Sequence, residues 1–343
     1  MEAYRPSQQD SLSWSRRLFL AFALTAGTHM AISSPARAQD SAIGLGRRRG
    51  GTLDLLVDPE PTTLVAVTSS ADPTMLVSAK VTEGLLAYDF DLTPKPQLAV
   101  EWSVDRQSMK FSFRLRKGVT WHDGSPFTAD DVAYSIMLLK DAHPRGRATF
   151  ANVQEVHAPG IETVIIRLAK PAPYLLKAFA ACESPIVPRH RYEGTDPGKN
   201  PNASAPIGTG PFIFKEWVRG RHILYERNPT YWDAPKPYFD RLTVHVIVDA
   251  ASRLSAIENG TVTLAPATPL SLRQIEQLKG RPELGFDTNG YQYLNQVVRI
   301  EFNLDDPILK DLRVRQAIAH MRSTERISGE TPGERMVSWH RDR

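Results

Sequence analysis

The residues best placed by type and spacing to do chemistry are His122 and Asp123. A general base beside an orienting carboxylate is the minimum equipment for proton transfer. Adjacent residues in a turn rarely aim at one atom, however, and Gly124 and Pro126 mark this stretch as a turn. The architectural reading, an Asp that bonds its own backbone, is therefore preferred over catalysis. The acidic pairs Asp130-Asp131 and Asp305-Asp306 have the right type for a cation, but a helix start and a turn account for them without one. The chain has no HExxH, no histidine pair at metal-ligand spacing and no GxSxG elbow. Its single cysteine, Cys182, excludes an internal disulfide and a cysteine-based zinc site, and with no basic cluster adjoining it reads as a small core residue. Gly208-Thr209-Gly210 resembles a phosphate cradle only superficially, because Pro211 removes an amide and a strand pattern follows where a helix should open. Trp217, Tyr225, Tyr231 and Trp232 have the chemistry to stack on a ligand, although packing in a core is their commoner fate.

The elements that must position these residues follow from hydrophobic spacing. Phe111, Phe113 and Leu115 alternate with Lys110, Ser112, Arg114 and Arg116, which predicts a strand over 110–116 with one face buried. Thr128 and Asp131 form a capping box for a helix carrying Val132, Ile136 and Leu139 at helical spacing. Similar patterns predict strands over 52–57, 161–168, 212–217, 242–248, 262–264 and 300–302. Helices are predicted over 75–86, closed by Gly84, over 174–181 behind Pro171 and Pro173, over 253–258 behind Asp249 and Ser252, and over 270–278. Residues 226–232 and 235–240 read as aromatic-rich loops. The alternation is mixed α and β, without a repeat of fixed period.

With 343 residues, 41% of them hydrophobic, the chain can build cores for two ordinary domains. Lys and Arg number 42 against 38 Asp and Glu, and an excess of +4 is too small to argue for a nucleic-acid partner. Residues 1–38 read as an export signal: Arg16-Arg17, an apolar run over 18–24, and the small-x-small site Ala36-Arg37-Ala38, with cleavage expected after Ala38. The run 15–20, SRRLFL, resembles a twin-arginine signal; an ordinary secretory signal or an uncleaved anchor are the alternatives. Residues 39–51, rich in Arg and Gly, read as a flexible leader. No later stretch approaches the roughly 18 apolar residues of a membrane span.

Blocks in a fixed order carry a resemblance. They are Glu83-Gly84-Leu85; Phe113-Arg114-Leu115-Arg116-Lys117-Gly118 with Trp121-His122-Asp123-Gly124; Gly208-Thr209-Gly210-Pro211-Phe212; Glu226-Arg227-Asn228-Pro229 with Tyr231-Trp232; and Phe302-Asn303 with Arg313-Val314-Arg315-Gln316-Ala317. Together they resemble the family 5 extracellular solute-binding proteins, receptors of ABC importers for dipeptides, oligopeptides and nickel. The resemblance implies an α/β, type II periplasmic-binding-protein-like fold of two lobes that close on a ligand, with no cofactor and no covalent chemistry. It implies a small peptide or related solute as ligand, permease and ATPase subunits as partners, no nucleic acid, and a monomer that meets the membrane only through the permease. By the same resemblance, Thr68, Ser69 and Ser70 lie where members line the cleft. The expected organisation is a first lobe over 52–265 with an inserted subdomain over about 67–202, the start of a second lobe over 266–321, and a non-family tail over 322–343. The tail carries few apolar residues and no helical stripe, so the second lobe is expected to be incomplete and the receptor impaired. Gly260-Thr261-Val262-Thr263 also lacks the two carboxylates usual in that block. Competing readings are a secreted hydrolase or metal enzyme using His122 and Asp123, and a sensory or scaffold module of the same fold.

Overall fold

The structure is a computed structural model in which residues 49–266, 270–287 and 301–321 are described. In chain order its elements begin with β1 (Thr52–Val57), α1 (Asp72–Val81), β2 (Leu86–Tyr88), β3 (Pro94–Pro96), β4 (Ala99–Val104), β5 (Lys110–Leu115) and α2 (Ala129–Ala142). A short α3 (Gly146–Thr149) leads to the hairpin β6 (Val153–Gly160) and β7 (Thr163–Leu168), and after a 3-10 turn at Pro173–Ala178 comes α4 (Arg189–Tyr192). The chain continues through β8 (Phe212–Val218), β9 (His222–Arg227), β10 (Arg241–Val246), α5 (Ala250–Glu258), α6 (Leu272–Leu278) and α7 (Leu312–Met321).

Two four-stranded sheets carry the fold. One is antiparallel in the order β4-β5-β7-β6; the other has the order β1-β10-β9-β8, with β1 parallel to β10. In the first, period-two alternation buries Phe111, Phe113 and Leu115 of β5 beside Val164, Ile166 and Leu168 of β7. Val132, Ile136 and Leu139 of α2 pack into the same core, which Trp121 and Phe179 complete by edge-on contacts with Phe127 and Phe113 at 5.9 and 5.0 Å. The second sheet buries Leu55, Ile223, Tyr225, Leu242 and Val244 against Val77 and Val81 of α1.

The capping box at the start of α2 forms as its sequence requires. Asp131, itself 5% exposed, accepts from Thr128 N at 2.9 Å and also from Arg189 N at 2.9 Å, so one carboxylate caps α2 and ties α4 to it.

Several expectations are corrected. The helix predicted over 75–86 runs from Asp72 to Val81: Pro73 opens it, and Glu83-Gly84 leave helical conformation to reach β2. Gly84 passes so close to Phe179 that a Cβ would lie 2.3 Å from its carbonyl oxygen. The predicted helix over 174–181 is a 3-10 turn ending at Ala178. Val262 to Leu264 makes only an isolated bridge to Leu55, and residues 301 and 302 are not in a strand. Strands β2, β3, β4, β6 and β9 have no counterpart among the predicted strands; β9 takes Glu226 and Arg227 out of the expected loop. Cys182 is exposed, not a core residue, because it sits in the turn that carries the chain away from Phe179.

Candidate functional site

His122 and Asp123 share no atom. The His122 ring faces the 208–210 loop: Nδ1 accepts from Gly208 N at 3.3 Å and Nε2 donates to the Gly210 carbonyl at 2.9 Å. Asp123 faces α4, where its carboxylate meets His190 Nε2 at 2.8 Å and Arg191 at 3.4 Å, and turns back to Ser125 N at 3.1 Å. Burial opposes its ionisation, but the bonds from His190 and Ser125 outweigh that and hold the carboxyl at about 2. The pair is a double fastener, not a base and its orienter. The loop amides are likewise consumed, since Gly210 N donates to Val81 O at 2.8 Å, which leaves no phosphate cradle.

The centre of this arrangement is Glu83, 1% exposed, between α1 and β2. Its carboxylate accepts from Thr209 Oγ1 at 2.9 Å, Tyr231 OH at 2.8 Å, Trp232 Nε1 at 3.0 Å and Gln97 Nε2 at 3.4 Å. Asn228 Nδ2 reaches the Gly210 carbonyl at 3.1 Å, and the Arg116 guanidinium lies 3.8 Å over the Trp232 ring. Sequence blocks far apart in the chain thus converge on one hydrogen-bonded junction between the two sheets. Burial raises the Glu83 pKa against the pull of these four donors. The sequence contains a faint signal for this role, an acid set between Val81 and Gly84-Leu85-Leu86 with no cation between them. Trp217 has a separate task, donating to Glu60 at 2.8 Å, and Tyr225 is core.

Burial also lowers the His122 pKa below the ordinary 6.5, with the Gly210 bond and Asp123 opposing it more weakly. Neutral His122 is therefore favoured in the folded chain, so its contribution is present above pH 6.5 and is lost as pH falls through the lower folded value. Glu83 acts in the opposite sense. In urea melts at pH 7.5 and 5.5, the wild-type chain should lose stability on acidification relative to His122→Gln; parallel pH responses of the two proteins would contradict this assignment.

A second arrangement is concave and solvent-facing. Thr68 lines a groove of about 670 Å³ with Tyr134, Met137, Leu138 and Asp141 of α2 and Asp196 of the loop after α4. Ser69 and Ser70 are half-buried next to Thr68 but do not line the groove, and Ser69 Oγ accepts from Ala71 N at 3.3 Å. The groove presents an apolar floor, a phenol, a hydroxyl and two carboxylates, the set that suits a polar ligand with a cationic end. Sequence reading missed its wall, although positions 134, 137, 138 and 141 follow helical spacing on α2 beside the core face of Val132, Ile136 and Leu139. Arg16, Arg17 and Ala38, and the tail over 322–343, lie outside the described residues. Among the described residues no group of three or more His, Cys, Asp or Glu could hold a metal, and no helix is long and apolar enough to cross a membrane.

Residues 93–328 match the family described as bacterial extracellular solute-binding proteins, family 5 Middle. The oligopeptide-binding protein AppA of Bacillus subtilis is 29% identical over 290 residues, covering 82% of this chain and 51% of AppA. Its structure with a nonapeptide superposes with a TM-score of 0.66 at 26% identity, over 82% of this chain and 56% of that one. NikZ of Campylobacter jejuni, solved with Ni(L-His), superposes with a TM-score of 0.68 at 27% identity, over 80% of this chain and 54% of NikZ. These neighbours have the type II periplasmic-binding-protein fold, and the chain spans about half the length of the curated relatives it matches.

Proposed function

The chain belongs to the family 5 bacterial extracellular solute-binding proteins, and on that premise we propose that it captures di- or oligopeptides for an ABC importer, its partners being permease and ATPase subunits. Members of this family are transport receptors, not enzymes. In this reading residues 52–265 form the first lobe with 67–202 inserted, residues 266–321 begin the second, and Thr68 contributes to the ligand face, with Ser69 and Ser70 in the segment that carries it rather than on the groove wall. The observation that carries it is the groove at Thr68, whose size falls in the range of ordinary ligand pockets and whose Asp141 and Asp196 complement a peptide ammonium. The opposite placement of the His122 and Asp123 side chains gives a hydrolase no dyad to work with.

Calorimetric titration of the purified chain with tripeptides and their N-acetylated forms tests this. Binding should weaken on acetylation and fall about tenfold, roughly 1.4 kcal/mol, in Asp141→Asn. Absence of binding by every peptide, or indifference to acetylation, would reject the peptide reading. We further propose export by the twin-arginine route with cleavage after Ala38. The mature chain recovered from the periplasm should then begin at Gln39, and replacing Arg16 and Arg17 by Lys should trap the precursor in the cytoplasm; unimpeded export of that variant would eliminate the route.

A further inference from the structure

Apart from the groove at Thr68, a smaller open cavity of about 280 Å³ lies where Leu53, Leu55, Phe212 and Leu242 of the second sheet approach Phe239. Its lining is apolar and aromatic except for two lysines, Lys80 and Lys236. Lys236 is half-exposed and paired with Asp233 at 2.8 Å. Lys80 is different: it is half-buried in the last turn of α1 and makes no hydrogen bond or ion pair with any described residue.

A lysine at the end of a helix ordinarily satisfies its last carbonyls. Here two of those carbonyls are engaged elsewhere, Ser78 O by Thr82 N and Val81 O by Gly210 N, both at 2.8 Å. Lys80 is left lining a space whose wall is mostly apolar. Desolvation accordingly pushes its pKa down, as expected for a cation lacking a counter-charge. A half-buried, unpartnered charge beside apolar surface is costly unless something pairs with it, and most of the remaining wall, Leu53, Leu55, Phe212, Phe239 and Leu242 among it, offers only apolar contact.

We propose that this cavity is a second ligand site that takes a small organic carboxylate with an apolar body, the carboxylate on Lys80 and the body against Leu53, Leu242 and Phe239. The volume lies at the lower end of ligand pockets, which limits the body to about one ring. Charge-assisted pairing in an apolar surrounding is stronger than its counterpart in water, so the carboxylate should dominate selectivity.

The test is a ligand-observed NMR titration of the full chain with phenylacetate, phenylacetamide and acetate. Phenylacetate should bind, with phenylacetamide and acetate each at least about tenfold weaker, because one lacks the charge and the other the body. Lys80→Met should abolish phenylacetate binding while keeping a cooperative melt, and Lys236→Gln should change the affinity less than about threefold. Thr68→Val, in the other groove, should leave phenylacetate binding unchanged, so that failure here is separable from failure of peptide binding. Equal binding of phenylacetamide, undiminished binding by Lys80→Met, or no binding of phenylacetate at millimolar concentration would each overturn the proposal. The comparison of the three ligands decides it on the wild-type chain even if Lys80→Met folds poorly.

Discussion

Glu83→Ala should destabilise the chain by about 4 kcal/mol, while Glu83→Gln should cost only about 1–2 kcal/mol. Four donors converge on this carboxylate, and alanine removes their acceptor without removing them. Each buried donor left unsatisfied costs roughly 1–3 kcal/mol, and rearrangement around the small side chain recovers part of the sum. A desolvated carboxylate is itself expensive, so an apolar network replacing Glu83 and all its donors together need not be less stable. The loss in Glu83→Ala comes from the orphaned Thr209, Tyr231 and Trp232. Urea denaturation monitored by circular dichroism is the measurement, read as a fall in midpoint at unchanged slope. A loss below about 1 kcal/mol would show that the junction does not depend on this acceptor. The pH dependence has a definite sign as well. Because burial raises the folded pKa of Glu83 above 4.5, its advantage is full below that value and fades as pH rises through the folded pKa. The gap between wild type and Glu83→Gln should therefore narrow with rising pH.

This junction marks the limit of what the sequence alone discloses. Local rules are legible: the alternation in β5, the Thr128–Asp131 capping box and the spacing in α2 each depend on neighbours within a few residues. Long-range pairing is not. β9 is flanked by loop signals, and its register against β10 and β8 is set by strands on either side of it in the sheet. β6 carries Pro159 and several exposed positions, so its hydrophobic pattern is weak, and β7 supplies its partner. The family blocks are readable as a resemblance, yet only the three-dimensional arrangement shows that Glu83, His122, Gly208 to Gly210 and Trp232 address one another. For the groove, Thr68 is reached through the resemblance, whereas Asp141 and Asp196 come together from segments 55 positions apart (196 − 141) and leave no local trace. The expectation for Cys182 fails because burial of a small residue is a tertiary outcome that composition only biases.

Gly208→Ala should cost about 4 kcal/mol or more, whereas Gly220→Ala should cost only about 1–2 kcal/mol. The two glycines exist for different reasons. Gly220 has a φ of +70° and nothing within 4 Å of where a Cβ would stand, so alanine there meets backbone strain and no neighbour. Gly208 has no such backbone demand; a Cβ on it would lie 1.9 Å from Val81 O and 2.6 Å from Val81 C. Both obstructing atoms belong to main chain at the end of α1, which cannot swing aside as a side chain could. The loop would have to retreat from α1, breaking the bond from Gly210 N to Val81 O and pulling His122 and Thr209 from their partners. Overpacking alone costs roughly 1–3 kcal/mol, and the stretched hydrogen bonds add about 1 kcal/mol each. Gly210→Ala should behave like Gly208→Ala, since its Cβ would stand 2.5 Å from the same oxygen. Thermal and urea melts of the three variants decide the matter. If Gly208→Ala were as mild as Gly220→Ala, the close approach of this loop to α1 would not be what fastens the two sheets together.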